Sequence, residues 1–466
     1  MNTRASQGTP FIPAPRITTV AGYLLTRLAE AGLASVFGVP GDYNLPILDA
    51  LAGRPDLAWI GMATEQGAGY AADSYARLRG VGALVTTFGV GELSAINAIA
   101  GAYAESVPVV HIVGSPALTA RDDGVVLHHN LPGRDYGHFA RMAAEVTAAQ
   151  ADLRSGTAPA EIDRVLGTAL RTSRPVYLTI PADVADIPVL APAERLPRAA
   201  QAPDPAVVAA FTDFPEPGAA RADLPPIDAT PDARGGPLDQ RKLWARVQDL
   251  LRPGDLLIAD QGTAFDGASG LSLPDGAKLI GPPPWASVGW TVPAGLGASL
   301  GAPDRRVVLI AGDGAMRRTA AELGTLLGQG LAPIVIVLSN GGYATERVIG
   351  HPDRGYHQIP AWDWTALLAA MGPATSPVAL RVGTSHELAW ALNAASYHAG
   401  AGRPVLIEAV LDSGEVPSLL QELAQTLAIP AHRGEEADAT ADGYWLGSAE
   451  ENAAVGIRLP KVTSGG

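Results

Sequence analysis

Gly312-Asp313-Gly314-Ala315 places one carboxylate between glycines, directly after the apolar run Val307–Ala311 and directly before a helical stretch. Glycines at that point let the backbone approach a phosphate, and the start of the helix supplies free N–H groups and the positive end of its dipole. By itself the Gly-Asp-Gly tripeptide serves equally well as a turn or a helix cap. The balance changes at Asn340, 27 residues on, where a second apolar run, Ile334–Leu338, ends in Ser339-Asn340-Gly341-Gly342-Tyr343. Adjacent parallel strands would aim the Asp313 carboxylate, the Asn340 amide oxygen and the glycine-flanked carbonyl of Gly342 at one point. Those are hard oxygen ligands, in the number Mg²⁺ takes when it also holds a diphosphate and water. The chemistry indicated is a metal–diphosphate site.

The elements that must position such a site fall into two blocks of alternating strand and helix patterns, the signature of a parallel sheet with crossover helices. Strands are expected at Ala83–Thr87, Val109–Val113 and Val176–Ile180 in the first block, with a helix over Glu92–Glu105. In the second they are expected at Leu256–Asp260, Val307–Ala311, Ile334–Leu338 and Val405–Val410, with a helix from Met316 to Leu327. The fold class is therefore α/β, with two doubly wound parallel-sheet domains over residues 15–190 and 240–428. Between them, residues 191–239 hold ten prolines in 49 residues and no clean strand pattern, which reads as a semi-rigid linker. Residues 429–466 form a tail with little pattern.

Composition narrows the chemistry. Thirty-three basic against 47 acidic residues leave a net charge of −14, which repels nucleic acid and anionic membranes in the absence of a basic patch, and no Lys/Arg run supplies one. The absence of cysteine excludes disulfides, thiolate zinc sites, iron–sulfur clusters and a cysteine nucleophile. Neither a signal-peptide core nor an 18-residue apolar stretch is found, so the expected location is the cytoplasm.

The Gly-Asp-Gly and Asn-turn pair resembles the diphosphate-binding motif of thiamine diphosphate enzymes, and other segments narrow the resemblance. Val39-Pro40-Gly41-Asp42-Tyr43-Asn44-Leu45, Thr87-Phe88-Gly89-Val90-Gly91-Glu92, Ala104-Glu105-Ser106-Val107-Pro108 and Leu127-His128-His129-Asn130-Leu131 are similar to the 2-oxo acid decarboxylases of the pyruvate and indolepyruvate type. The resemblance covers residues 15–190 and 240–428. It implies thiamine diphosphate and Mg²⁺ as cofactors, with Glu65 as the carboxylate that activates the aminopyrimidine ring. As a plain helix-start residue Glu65 would merely compensate the dipole. It further implies Asp42, His128 and His129 as a proton relay and Glu346 as a second catalytic carboxylate. Loss of CO₂ leaves a carbon that must be protonated before aldehyde departs, and histidine titrates near neutral pH. Seen alone, a loop His pair would be satisfied by backbone carbonyls.

The resemblance also assigns the cofactor's surroundings. Gln261, Thr263, Ala286, Val288, Gly312, Asp313, Gly314, Ala315, Asn340 and Gly342 would line it, with Val288 as an apolar wedge and Asp313, Asn340 and Gly342 on the metal. Gln261, Phe265 and Thr345 would border the substrate, a 2-oxo acid larger than pyruvate of indolepyruvate, phenylpyruvate or branched-chain type. Departures are the family's middle domain, replaced by residues 191–239, together with Ser339, Thr345 and Asp266, which make the pocket more polar or roomier. The implied site lies between two chains, so a homodimer at least, or a homotetramer, is expected. The implied reaction is non-oxidative decarboxylation to an aldehyde. The alternatives are a carboligase or acyloin synthase, and a cofactor-binding remnant without activity.

Overall fold

The computed structural model describes residues 16–196, 236–350, 354–371 and 376–421. Most of the expected linker and all of the expected tail lie outside the described residues. Two six-stranded parallel sheets dominate. The first has the order β3-β2-β4-β5-β7-β6, formed by β2 (Ser35–Gly38), β3 (Ala58–Gly61), β4 (Gly82–Thr87), β5 (Val109–Ser115), β6 (Gln150–Asp152) and β7 (Val176–Pro181). The second, β10-β9-β11-β12-β14-β13, is formed by β9 (Leu256–Ala259), β10 (Lys278–Ile280), β11 (Val307–Gly312), β12 (Ile334–Ser339), β13 (Val378–Val382) and β14 (Val405–Val410). A short antiparallel pair, β1 (Ile17–Thr19) with β8 (Pro188–Leu190), closes the first unit.

The two sheets have the same topology: in each, the first strand sits second from the edge and the chain then reverses direction across the sheet. That reversal, between β2 and β4 and again between β9 and β11, opens a crevice at the carboxyl ends of the strands, where ligands bind in open α/β sheets. Central strands such as β5 are buried along their whole length, as expected for sheets covered by helices on both faces.

Seven short strands, β1, β2, β3, β6, β8, β10 and β13, lie outside the seven expected from sequence. One expected helix is corrected. The Met316–Leu327 segment is two helices, Asp313–Arg318 and Ala321–Gly328, because Thr319 leaves helical geometry and donates its hydroxyl to the Gly289 carbonyl at 2.7 Å. Among the described residues no helix is long and apolar enough to cross a membrane.

The two units share one hydrophobic cluster, which runs from Leu24 and Leu84 through Tyr70, Ala71 and Tyr75 to Trp290, Val292, Leu296 and Leu309. Its centre is the contact between helix Glu65–Arg79 and helix Thr291–Gly301. There Gly297 permits backbone-close packing, since a β-carbon at that position would stand 2.0 Å from the Ala71 carbonyl oxygen.

Candidate active site

The metal-type site forms where β11 and β12 end side by side, paired in parallel through Gly312 and Leu338. Asp313 is buried, and its two oxygens accept the Gly314 and Gly341 N–H groups, each at 2.8 Å. Burial nevertheless pushes its pKa up, so the ionised carboxylate lacks charge compensation. The buried Asn340 turns its side-chain oxygen toward acceptors, 3.3 Å from Asp313 Oδ1 and 2.9 Å from the Gly342 carbonyl. Reversing the amide would satisfy hydrogen bonding alone, but three converging oxygens beside an uncompensated carboxylate are also the donor set of a hard divalent cation. The Gly342 φ of +148° presents that carbonyl, and any β-carbon there would clash with the His357 carbonyl at 1.9 Å.

Other residues expected to line a cofactor follow β9 or lie in the loop Trp285–Gly289. Gln261, Gly262 and Thr263 follow β9, and Thr345 approaches Gly262, its hydroxyl 3.1 Å from the place of a β-carbon. Phe265 packs its ring under Gly281 and against the core. The loop Trp285–Gly289 carries Ala286 at a φ of +57° and half-buried Val288. Asp260 anchors the end of this loop by accepting the N–H groups of Gly289, Thr291 and Gln261, each at 3.0 Å.

On the first sheet, Glu65 opens the helix Glu65–Arg79, capped by the Thr64 hydroxyl on the Gly67 N–H at 3.0 Å. Its carboxylate lies against Gly91, beside the turn after β4, where a β-carbon would sit 3.2 Å from Oε1. Asp42 and His128 meet at 2.7 Å, Oδ2 to Nε2, at the exposed rim. Tyr43 stacks on the His128 ring at 4.9 Å and puts its hydroxyl 3.2 Å from Nδ1. His129 has a φ of +67°, a buried Nδ1 without a partner, and a carbonyl pressed against Gly89. The ligand atoms of Asp42, His128 and His129 fall within 4.8 Å of one another. Both nitrogens of His128 are already engaged, which suits proton transfer better than metal binding. Glu346 stands exposed near the start of helix Ala344–Ile349, on the second unit.

The two units also touch through side chains near these residues. Glu322 on helix Ala321–Gly328 accepts from the Thr64 N–H at 3.0 Å, the Ala63 N–H at 3.2 Å and the Thr64 hydroxyl at 3.1 Å. Tyr70 hydrogen-bonds Ser287, and Asn97 bridges Ser287 and the Trp285 indole at 3.1 Å each. Sequence reasoning missed Glu322, Asp260 and Tyr43. A signal existed for the first two: each is a lone acid in an otherwise apolar run, Ala320-Ala321-Glu322-Leu323 and Leu256-Leu257-Ile258-Ala259-Asp260.

Known proteins are similar to this chain in both units. Residues 18–137 match the family described as "Thiamine pyrophosphate enzyme, N-terminal TPP binding domain", and residues 266–409 match "Thiamine pyrophosphate enzyme, C-terminal TPP binding domain". An "Alpha-keto-acid decarboxylase" of Mycolicibacterium paratuberculosis is 37% identical, with 87% of this chain and 96% of the relative covered. Proteins of that name from Mycobacterium avium, at 37% with the same coverage, and Mycobacterium bovis, at 36% with 88% and 98% covered, are similar to it too. The first alignment spans 544 positions, more than the 466 residues of the chain, so that relative carries residues with no counterpart here.

Proposed function

The chain belongs to the thiamine diphosphate-dependent 2-oxo acid decarboxylases, which are carbon–carbon lyases, and from that premise we propose how its residues divide the work. Asp313, Asn340 and the Gly342 carbonyl hold Mg²⁺ against the diphosphate; the convergence of their oxygens is the observation that carries this reading. Thiamine diphosphate, when bound, supplies the nucleophilic carbon and the electron sink for loss of CO₂. Glu65 would hold the aminopyrimidine, and the loop held by Asp260 would support the cofactor through Ala286 and Val288. Gly312, Gly314, Ala315 and Thr263 bring backbone and hydroxyl groups to the cofactor.

Asp42 and His128 form the proton relay, with His129 beside them and Glu346 as a second carboxylate on the other unit. The relay delivers the proton that the product carbon needs before aldehyde leaves. We assign the substrate to the 2-oxo acids larger than pyruvate. Gln261 supports this: its Oε1 is buried without a partner, so a substrate bearing a hydrogen-bond donor, such as an indole N–H, satisfies it. The residues absent relative to the longer homologue correspond to a middle domain replaced by the Pro-rich segment.

The test is CO₂ and aldehyde measured together, with Mg²⁺ and thiamine diphosphate, across pyruvate, branched-chain, phenyl- and indole-pyruvates. Expected are equal amounts of both, strongest with the indole acid and abolished by a chelator. CO₂ without aldehyde would replace decarboxylation by carboligation as the main reaction. No CO₂ from any acid would remove the assignment.

A further inference from the structure

The turn after β4 forms the floor beneath the two adjacent histidines. A β-carbon on Gly89 would stand 2.0 Å from the His129 carbonyl oxygen, so the two backbones touch there. Phe88, the residue before it, sets its ring edge-on to Tyr43 with centroids 6.3 Å apart, and Tyr43 stacks on His128. One peptide group, Phe88–Gly89, therefore underlies both rings. Its N–H is buried and donates to Glu92 Oε1 at 2.8 Å. The other oxygen of Glu92, Oε2, accepts the hydroxyl of Tyr177 on β7 at 2.6 Å, and both side chains are buried. A small cavity lined in part by Ile96, His111, Phe139 and Tyr177 lies beside the carboxyl, so these two bonds, more than close packing, set where it stands.

We propose that Glu92 is a positioning residue for the proton relay: anchored to the sheet by Tyr177, it fixes the Phe88–Gly89 peptide and through it the places of His128 and His129. The proposal rests on the relay reading given above. An acid in the first turn of a helix that accepts the N–H just before it is an ordinary helix cap, worth stability alone. Here the capped residue is a buried glycine at a φ of +69°, and its far side is pressed against His129, itself at a φ of +67°. Without the carboxyl, the Gly89 N–H is buried with no acceptor, and the turn shifts to find one. No gap separates it from His129, so the histidine moves with it. A displacement of about 1 Å near a reacting group can cost roughly 10²-fold in rate.

The relay acts after CO₂ has left, when the product carbon takes up its proton. Loss of Glu92 therefore slows aldehyde formation and spares the release of CO₂ that precedes it. Rapid quench with Mg²⁺, thiamine diphosphate and one 2-oxo acid in excess follows both products in time. Glu92→Ala is expected to give a burst of about one CO₂ per site, then aldehyde roughly 10²-fold more slowly than wild type. Glu92→Gln keeps an acceptor for Gly89 and is expected to restore the rate to within a few fold. Wild-type aldehyde release in Glu92→Ala, loss of both products in step, or a Gln variant as slow as the Ala variant would each overturn the proposal. A second readout needs no cofactor: in protein labelled with ¹⁵N-histidine, the ring signals of His128 and His129 should move in Glu92→Ala and return in Glu92→Gln. Unmoved signals would overturn it too.

If Glu92→Ala does not fold, Tyr177→Phe removes only the donor to Oε2 and is expected to show the same burst with a smaller slowing. Wild-type behaviour of that variant would then overturn the proposal. Asp42→Asn in the same assay separates this inference from the reading beneath it. Slowed aldehyde there, with none in Glu92→Ala, leaves the relay standing and removes Glu92 from its support. Wild-type release in Asp42→Asn would remove the relay and the role of Glu92 together.

Discussion

The buried carboxylate of Glu322, on the second unit, accepts the backbone N–H of Thr64, the residue directly before Glu65 on the first. The position of the proposed activating carboxylate is thus held by an acid on the other unit. Replacing Glu322 by Ala removes the acceptor of the Ala63 and Thr64 N–H groups, which lie on exposed residues that water can reach, so each lost hydrogen bond costs about 0.5–1.5 kcal/mol. Expected is a loss of about 1–3 kcal/mol in urea unfolding, with weaker thiamine diphosphate binding by calorimetry. Glu322→Gln, which keeps one acceptor oxygen, should fall between Glu322→Ala and the wild type.

Tyr43 touches His128 twice, by stacking and through its hydroxyl. Removing that hydroxyl in Tyr43→Phe deletes one hydrogen bond of about 1 kcal/mol, a factor of about five in kcat. Asp42→Asn removes the relay's carboxylate and should lower kcat by roughly 10²–10⁴. Steady-state kinetics on one substrate compare the two; equal losses would mean that Tyr43 does more than position the ring.

Packing at the seam makes a further prediction. Gly297→Ala forces a methyl to within 2.0 Å of the Ala71 carbonyl, so the helices must separate. Overpacking of this kind costs about 1–3 kcal/mol. Thermal unfolding should shift downward accordingly, and an unchanged melting temperature would show that the helices are not in contact.

Glu92 gives the fold a pH dependence. Buried beneath Gly89 and bonded to the Tyr177 hydroxyl at 2.6 Å, it has its pKa pushed by burial to about 7. In the unfolded chain it ionises near the ordinary glutamate value of about 4.3. Between those values the folded protein holds a proton that the unfolded chain has released, so stability from this group falls as pH rises through that window and is level above it. Asp260 and Asp266, pushed up to about 6, act in the same direction over a lower window. Urea unfolding at pH 5, 6 and 7.5 should show the decline, and Glu92→Gln, which keeps both hydrogen bonds, should flatten its upper part. A variant that retains the full slope would remove Glu92 as its source.

Much of this site was legible in the chain because the proposed ligating groups sit at the ends of long apolar strands. Val307–Gly312 and Ile334–Ser339 are continuous hydrophobic runs, and the residues just after each run must lie at the strand ends of a parallel sheet. The short strands were not legible: Gln150–Asp152 and Lys278–Ile280 are three residues each, too brief to show a period. The break at Thr319 was hidden because its cause, the Gly289 carbonyl, lies 30 residues away in sequence. Glu322 was missed for the same reason, since its partners stand more than 250 residues upstream.

The most direct measurement compares wild type with Glu65→Gln for release of CO₂ and aldehyde from one 2-oxo acid, with Mg²⁺ and thiamine diphosphate present. Gln keeps the size of the side chain but cannot supply the ionisable proton that the aminopyrimidine requires. Expected is stoichiometric CO₂ and aldehyde from the wild type, with turnover lost in the variant while its melting temperature stays unchanged. A fully active Glu65→Gln protein would contradict the assignment of the site.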